Sequence, residues 1–342
     1  QYIDYQAQSF YDYPNLNTAL FGEQVIYLKD NLSITPGFRL EHIKTESRGF
    51  YKNINLDAAG NLLLNETIYN EETRKRSFVL FGIGTSYKPT EYLEIYNNIS
   101  QNYRSVTFAD ISIVNPAYVI NPEITDEKGY NLDFGVRGVF NKTISYDISF
   151  FGLFYNDRIG FVQKVFQDGN VKSERGNVGD AVIYGLESLV DFNLTKLFNF
   201  NYDYGASFFV NTSLIDSEYK SSSINGIIGK NVEFVPNLNF KSGFKFSFKD
   251  FSSSIQYTYM SEQFTDASNS IASNLSGVIG VLPTYDVLDI SLSYKYHDLK
   301  IETGVNNILD TSYFTRRATG YPGPGIIPSP PKNIYLTIVL KF

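Results

Sequence analysis

The chain contains no cysteine, which excludes disulfide staples and thiolate metal centres and suits a polypeptide that crosses an oxidising periplasm. It has only two histidines, His42 and His297, far apart in sequence and near strand ends. With no histidine pair at ligand spacing, direct metal ligation by the protein is not expected. Positive charge is the minority sign: 29 Lys and Arg against 36 Asp and Glu leave a formal net charge of -7, which argues against nonspecific nucleic-acid binding. No apolar run approaches the roughly 18 residues that a membrane helix needs, and the mean hydropathy is only -0.19. No Pro/Gly/Ser linker divides the 342 residues, so the expectation is one domain over 1–342. No initiator Met or signal peptide opens the chain, which starts at Gln1; a processed or truncated polypeptide is expected.

What the sequence does have is aromatic residues, 27 Tyr and 28 Phe, dispersed at every second position. In 233–248, Phe240, Phe244, Phe246 and Phe248 oppose Lys241, Gly243, Lys245 and Ser247. In 333–342, Ile334, Leu336, Ile338, Leu340 and Phe342 share a face opposite Asn333, Tyr335, Thr337, Val339 and Lys341. Period two of this kind gives each strand one face for lipid and one for water, as in an all-β transmembrane antiparallel β-barrel. Strands are expected near 17–28, 32–47, 74–87, 92–104, 128–140, 143–156, 180–194, 199–214, 233–248, 251–264, 284–297, 299–309 and 333–342. Pro36 sits awkwardly in the second, and 92–104 alternates too poorly for its faces to be assigned.

The connections alternate between turns of a few residues and loops of roughly fifteen to twenty-five, the pattern of short periplasmic turns and long outer loops. Turns at 29–31, 88–91, 141–142, 249–250 and 297–298 should therefore share one rim, and the segments 49–72, 157–179 and 313–331 the other. A small hairpin is expected around Asp168-Gly169-Asn170 within 157–179. About 13 strands is an odd number, whereas bacterial single-chain barrels have an even one; loss of an N-terminal part would leave such a count. A passive porin-like channel of about 14 strands, with 159–173 or 1–12 as the missing strand, is an alternative. A surface adhesin barrel is another.

Several stretches carry a family resemblance. GVNNILDTSYF (Gly304 to Phe314) is similar to the penultimate-strand signature of the TonB-dependent receptors, and LSITPGFRLEHI (32–43), NYRSVTFADI (102–111) and IYGLESLVDF (183–192) agree. YFTRRATGYPGPGIIPS (313–329) resembles more specifically the ferric-citrate receptor branch. The resemblance implies the C-terminal part of a plugged barrel of about 22 strands, without the plug, the TonB box or the first strands. It implies an outer-membrane active-transport receptor that captures a ferric chelate, ferric citrate or a related ferric siderophore, as transported ligand rather than cofactor. The implied partners are the TonB complex, through the missing N-terminal region, and outer-membrane lipids.

No enzyme constellation is visible. Glu71-Glu72 reads as solvated charge, and Gly323-x-Gly325 lacks the strand before and helix after that a phosphate cradle needs. Arginine beside tyrosine in the loops carries more chemistry: Arg316, Arg317, Tyr313 and Tyr321 in the last loop, and Arg104 beside Tyr103 at another strand top. Guanidinium forks bind carboxylates bidentately, and a ferric citrate complex presents carboxylates. The five prolines and three glycines of 313–331 restrict its backbone, which suits a preorganised ligand site. Arg39, Arg137, Lys241 and Lys245 are expected to face inward, and Phe342 to end the last strand on an aromatic assembly signal.

Overall fold

The computed structural model describes residues 9–57, 59–108, 118–165, 171–201, 203–275, 277–318 and 325–341. In chain order the strands are β1 Ser9–Asp12, β2 Asn15–Glu23, β3 Ile26–Lys29, β4 Leu32–Leu56, β5 Leu62–Thr90, β6 Leu93–Arg104, β7 Tyr118–Ile120, β8 Glu127–Phe140, β9 Ile144–Val165, β10 Val171–Asn193, β11 Tyr204–Ser221, β12 Leu238–Phe248, β13 Phe251–Met260, β14 Tyr285–Tyr296, β15 Leu299–Asn306, β16 Phe314–Ala318, β17 Gly325–Pro328 and β18 Asn333–Leu340. One helical turn, α1 Leu194–Leu197, follows β10.

The expected thirteen strands correspond to thirteen positions along one sheet, β1-β4-β5-β6-β8-β9-β10-β11-β12-β13-β14-β15-β18. The first position is a broken strand, because β2 and β3 also pair with β4. Pro36 explains one break. In an antiparallel ladder a residue's N–H and C=O face the same neighbour, and the Pro36 carbonyl accepts from the Gln24 N–H at 3.1 Å. Its missing N–H therefore faces the same side, at the gap between β2 and β3.

The short connections all fall at one end of this antiparallel sheet, as expected. At β8–β9, Asn141 and Lys142 both have positive φ (48° and 58°) and the Thr143 N–H closes on the Phe140 carbonyl at 3.0 Å, the hairpin geometry that matches strand twist. His297 and Lys249 take the same left-handed conformation in two-residue turns.

Register fixes the faces. Phe38 and Leu40 on β4 lie opposite Phe81 and Val79 on β5, and all four are exposed; this face meets lipid. The other face is polar and internally bonded. Tyr96 Oη donates to Asp147 Oδ1 at 2.7 Å, Ser254 and Ser291 share a hydrogen bond at 2.7 Å, and Asn102 Nδ2 donates to Asn131 Oδ1 at 2.6 Å. Arg137 pairs with Glu94 at 3.0 Å on this inward face. The poor alternation of β6 has a cause: Tyr96 faces inward, its ring over Gly135 where a Cβ would meet it at 2.3 Å. Near the lower edge a recess of about 1030 Å³ is lined by Ser207, Lys245, Ser247, Ser252, Ser254 and Ser291 among others.

Three expectations need correction. Residues 49–56 with 62–72, and 157–165 with 171–179, are not loops but tall continuations of β4–β5 and β9–β10, with the first turn at 57–61. Above the lipid neither face needs to be apolar, so the polar sequence continues as strand. Residues 222–237 are irregular, and β12 begins only at Leu238. Part of 313–331 forms a small separate hairpin, β16–β17. Asp168, Gly169, Asn170 and Phe342 lie outside the described residues.

Candidate functional site

The upper end of the wall is where connections fold back on the strands, and the sequence dictates how. Segment 222–237 brings Ile227 and Val232 onto Phe151, Ala181, Ile183 and Tyr219, a buried apolar cluster that also takes Ala267 from segment 261–284. Val106 and Ile124 pack on Ile159 in a second cluster. Burial of these side chains holds the connections against the wall, and three polar nodes fix their positions.

In the first node, Arg76 Nε lies 2.9 and 2.7 Å from the two Asp126 oxygens, the Val106 N–H donates to Asp126 at 2.8 Å, and Tyr103 Oη donates as well. The Arg76 side chain is only 7% exposed. Burial opposes the charge of Asp126, but the hydrogen bonds from Tyr103, the Val106 amide and Arg76 outweigh it, so the carboxyl sits below the ordinary aspartate value. Arg74 adds a hydrogen bond to the Ile124 carbonyl at 2.6 Å.

The second node is Glu233, 3% exposed. It accepts from Tyr219 Oη at 2.6 Å and the Phe161 N–H at 3.2 Å, with Arg158 Nε at 3.9 Å. Burial, then the Glu233 charge, pushes the Tyr219 phenol far up, so it remains a donor. Burial works against the Arg158 charge, and Glu233 together with Tyr219, Glu127 and Tyr155 more than offsets it.

The third node is Arg317. Its Nη1 and Nη2 donate to the carbonyls of Gly277 and Val281, each at 2.8 Å, and its guanidinium lies 5.2 Å from the Phe314 ring. Burial lowers its pKa somewhat. Arg317 thus clamps the last connection to segment 261–284. Arg316, next to it on β16, is exposed and makes no hydrogen bond or ion pair among the described residues. Tyr313 stacks on Tyr285 at 4.6 Å. Arg104 belongs to a different corner, 3.7 Å from Glu127, which also accepts from the Ile159 N–H at 2.8 Å. Tyr321 lies outside the described residues.

The structure thus brings Tyr313, Arg316 and Arg317 into one connection and sets Arg104 elsewhere on the mouth. Sequence reasoning missed Arg76, Asp126, Arg158, Tyr219 and Glu233. The basic run Thr73-Arg74-Lys75-Arg76 was the one available signal for them; Glu233 has none. Among the described residues of the mouth, the Arg316 fork is exposed and unpaired, a geometry that can take a carboxylate.

A wall of antiparallel strands, apolar outside, polar inside, with short turns at one end and folded-back connections at the other, is that of a transmembrane β-barrel, here of the bacterial outer membrane. The chain belongs to the TonB-dependent receptors: residues 1–308 match the family described as TonB dependent receptor-like, beta-barrel. Among solved structures it resembles the ferric yersiniabactin uptake receptor FyuA from Yersinia pestis, with TM-score 0.73 and 19% identity over 98% of this chain and 47% of that one. It also resembles the ferric citrate transporter FecA in its unliganded form, with TM-score 0.70 and 16% identity over 99% and 56%. The copper transporter OprC gives TM-score 0.72 and 16% identity over 97% and 49%. The chain spans about half the length of these structures.

Proposed function

We propose that this chain is the C-terminal part of the barrel of an outer-membrane receptor that binds a ferric chelate, ferric citrate by preference, and imports it with energy transmitted by TonB. The observation that carries the reading is family membership combined with a free guanidinium, Arg316, on a connection held in place by Arg317. Solved relatives include transporters of ferric yersiniabactin, ferric citrate and copper. The preference for citrate rests on the 313–329 sequence and on carboxylate chemistry. Arg316 is the primary carboxylate donor, with Tyr313, Tyr321 and Arg104 as supporting contacts and Arg317 as the residue that sets the loop. The plug and the TonB-contacting segment belong to parts of the receptor beyond this chain.

A porin-like channel fits less well, since the outer edges of β1–β3 and β18 carry no partner among the described residues. The test is equilibrium binding of ⁵⁵Fe-citrate to the intact receptor and its Arg316→Ala variant. Loss of one charged hydrogen bond, roughly 1.5–3 kcal/mol, should weaken binding by about one to two decades. Wild-type affinity in the variant removes Arg316 from the site; absence of binding by the wild type removes ferric citrate as the ligand.

A further inference from the structure

The chain contains one Asn-Gly dipeptide, Asn225-Gly226, at a turn in the connection 222–237 that folds back onto the wall. Asparagine is among the thermolabile residues, because its carboxamide is open to attack by the backbone nitrogen of the residue that follows. Glycine, with no Cβ, hinders that attack least. In a folded chain the reaction needs an accessible carboxamide, a backbone N–H that is not held in a hydrogen bond, and space for one to swing toward the other.

All three meet at this turn. Asn225 and Gly226 are both exposed, and neither the Asn225 side chain nor the Gly226 N–H makes a hydrogen bond among the described residues. A Cβ built on Gly226 would meet nothing within 4 Å, while its positive φ of 80° favours glycine at this position. Asn269-Ser270, in the connection 261–284, is the contrast. The Asn269 carboxamide accepts from the Asn231 N–H at 2.8 Å and donates to the Asn231 carbonyl at 2.9 Å, and the Ser270 N–H is taken by Asp266 at 3.1 Å. Both reacting groups are occupied there.

The flanks of the Asn225-Gly226 turn are pinned, which gives the reaction a structural consequence. Upstream, Ser222 Oγ donates to the Val178 carbonyl at 2.5 Å and accepts from the Ile224 N–H at 3.0 Å, and Ile224 packs against the apolar cluster. Downstream, Ile227 is buried in that cluster and its carbonyl takes the Lys230 N–H at 2.9 Å, while the Gly229 N–H donates to the Tyr219 carbonyl at 3.0 Å. A backbone atom added between Ile224 and Ile227 has only this two-residue span to absorb it, and draws Ile227 from its seat.

We propose that Asn225 is a site of spontaneous deamidation whose isoaspartyl product unseats Ile227. The Gly226 nitrogen loses its proton to solvent base and bonds to Asn225 Cγ; the Cγ–Nδ2 bond breaks and the side-chain nitrogen leaves as ammonia. Water then opens the succinimide. Addition at Cγ gives aspartate, and addition at the main-chain carbonyl carbon gives isoaspartate, whose chain runs through Cβ and Cγ and is one atom longer. Either product places a new carboxylate at the mouth.

The test incubates the intact receptor in detergent micelles at mildly alkaline pH in ¹⁸O-enriched water, beside the free peptide 221–230, and digests it afterwards in ordinary water at mildly acidic pH. Cleavage after lysine releases 221–230, in which Asn225 is the one asparagine. When half of the free peptide has reacted, this peptide from the folded receptor should carry ¹⁸O in aspartyl and isoaspartyl forms. The peptide holding Asn269-Ser270 should carry none, and Asn225→Gln should abolish the label in 221–230. Isoaspartyl peptides separate by chromatography, so hydrogen exchange can be read on the modified fraction alone. Exchange at the Gly229, Lys230 and Val232 amides should be roughly tenfold faster there, the loss of part of one isoleucine's burial. Asn225→Asp, which adds the charge without the extra atom, should exchange like the wild type. Absence of label in the folded receptor, equal label at Asn269, or exchange in the isoaspartyl fraction equal to that of Asn225→Asp each overturns the proposal.

Discussion

Arg317→Ala separates the two adjacent arginines of β16. The substitution removes two hydrogen bonds from a charged donor, to Gly277 and Val281 at 2.8 Å each. At roughly 1.5–3 kcal/mol apiece the gross loss is about 3–6 kcal/mol. Water regains both carbonyls and the site is only half-buried, which reduces the net cost to about 2–4 kcal/mol. That corresponds to an opening equilibrium raised by roughly 30- to 1,000-fold for the β16–β17 hairpin and segment 277–281. Hydrogen exchange of the amides in Gly277–Val281 and Phe314–Ala318 reads this directly, and the barrel strands below should not change. Arg317→Lys should recover about half of the protection, since one ammonium cannot span both carbonyls as a planar fork does. Arg316→Ala should leave exchange within about threefold of wild type while weakening chelate binding. Unchanged exchange at Gly277–Val281 in Arg317→Ala would refute the clamp and return Arg317 to the ligand-contact group.

The Asp126 node should respond to acid. Folding lowers this carboxyl's pKa, so its stabilisation is complete above the ordinary value of 3.8 and is lost as pH falls through the lower folded value; acid-stable protease should cut the 105–126 connection at a rate flat down to that range and rising below it. Glu233→Ala should cost about 3–5 kcal/mol of local stability because it leaves Arg158 without its counter-charge and the Tyr219 hydroxyl buried without its acceptor, with Glu233→Gln milder. Exchange at the Phe161 and Val232 amides measures both, and protection equal to wild type would show that apolar packing alone holds segment 222–237.

The barrel wall was legible in the sequence wherever the inward face is made of small polar residues. Gly243, Lys245 and Ser247 against Phe244, Phe246 and Phe248 leave no doubt about period, and β12 follows it. Legibility failed at β6, where Tyr96 turns inward to reach Asp147 and Asn97 and Gln101 lie on the outer face, reversing the usual chemistry. It failed again above the lipid. In 49–72 both faces of the β4–β5 ribbon meet water, so the strands carry Asn, Glu and Lys on either side and read as loop. The mouth was the least legible part. Arg317 and Arg316 are adjacent and alike in sequence, yet one is taken by carbonyls about forty residues away. Glu233 becomes an anchor because Tyr219 of β11 and Arg158 of β9 converge on its irregular segment.

The β4–β5 ribbon is built from the two longest strands among the described residues. Its lipid-facing apolar residues end at Leu40 and Val79, and beyond His42 the strand continues through 43–56 before turning at 57–61. At roughly 3.3 Å per residue that stretch is about 46 Å long, as long as the bilayer is thick with its headgroups. The tip, capped by Asp57 through the Ala59 and Asn61 amides and with open space around Gly60, therefore stands well above the lipid-facing band. A turn so far from the buried clusters is one where changes of sequence should leave both the wall and the folded-back connections untouched.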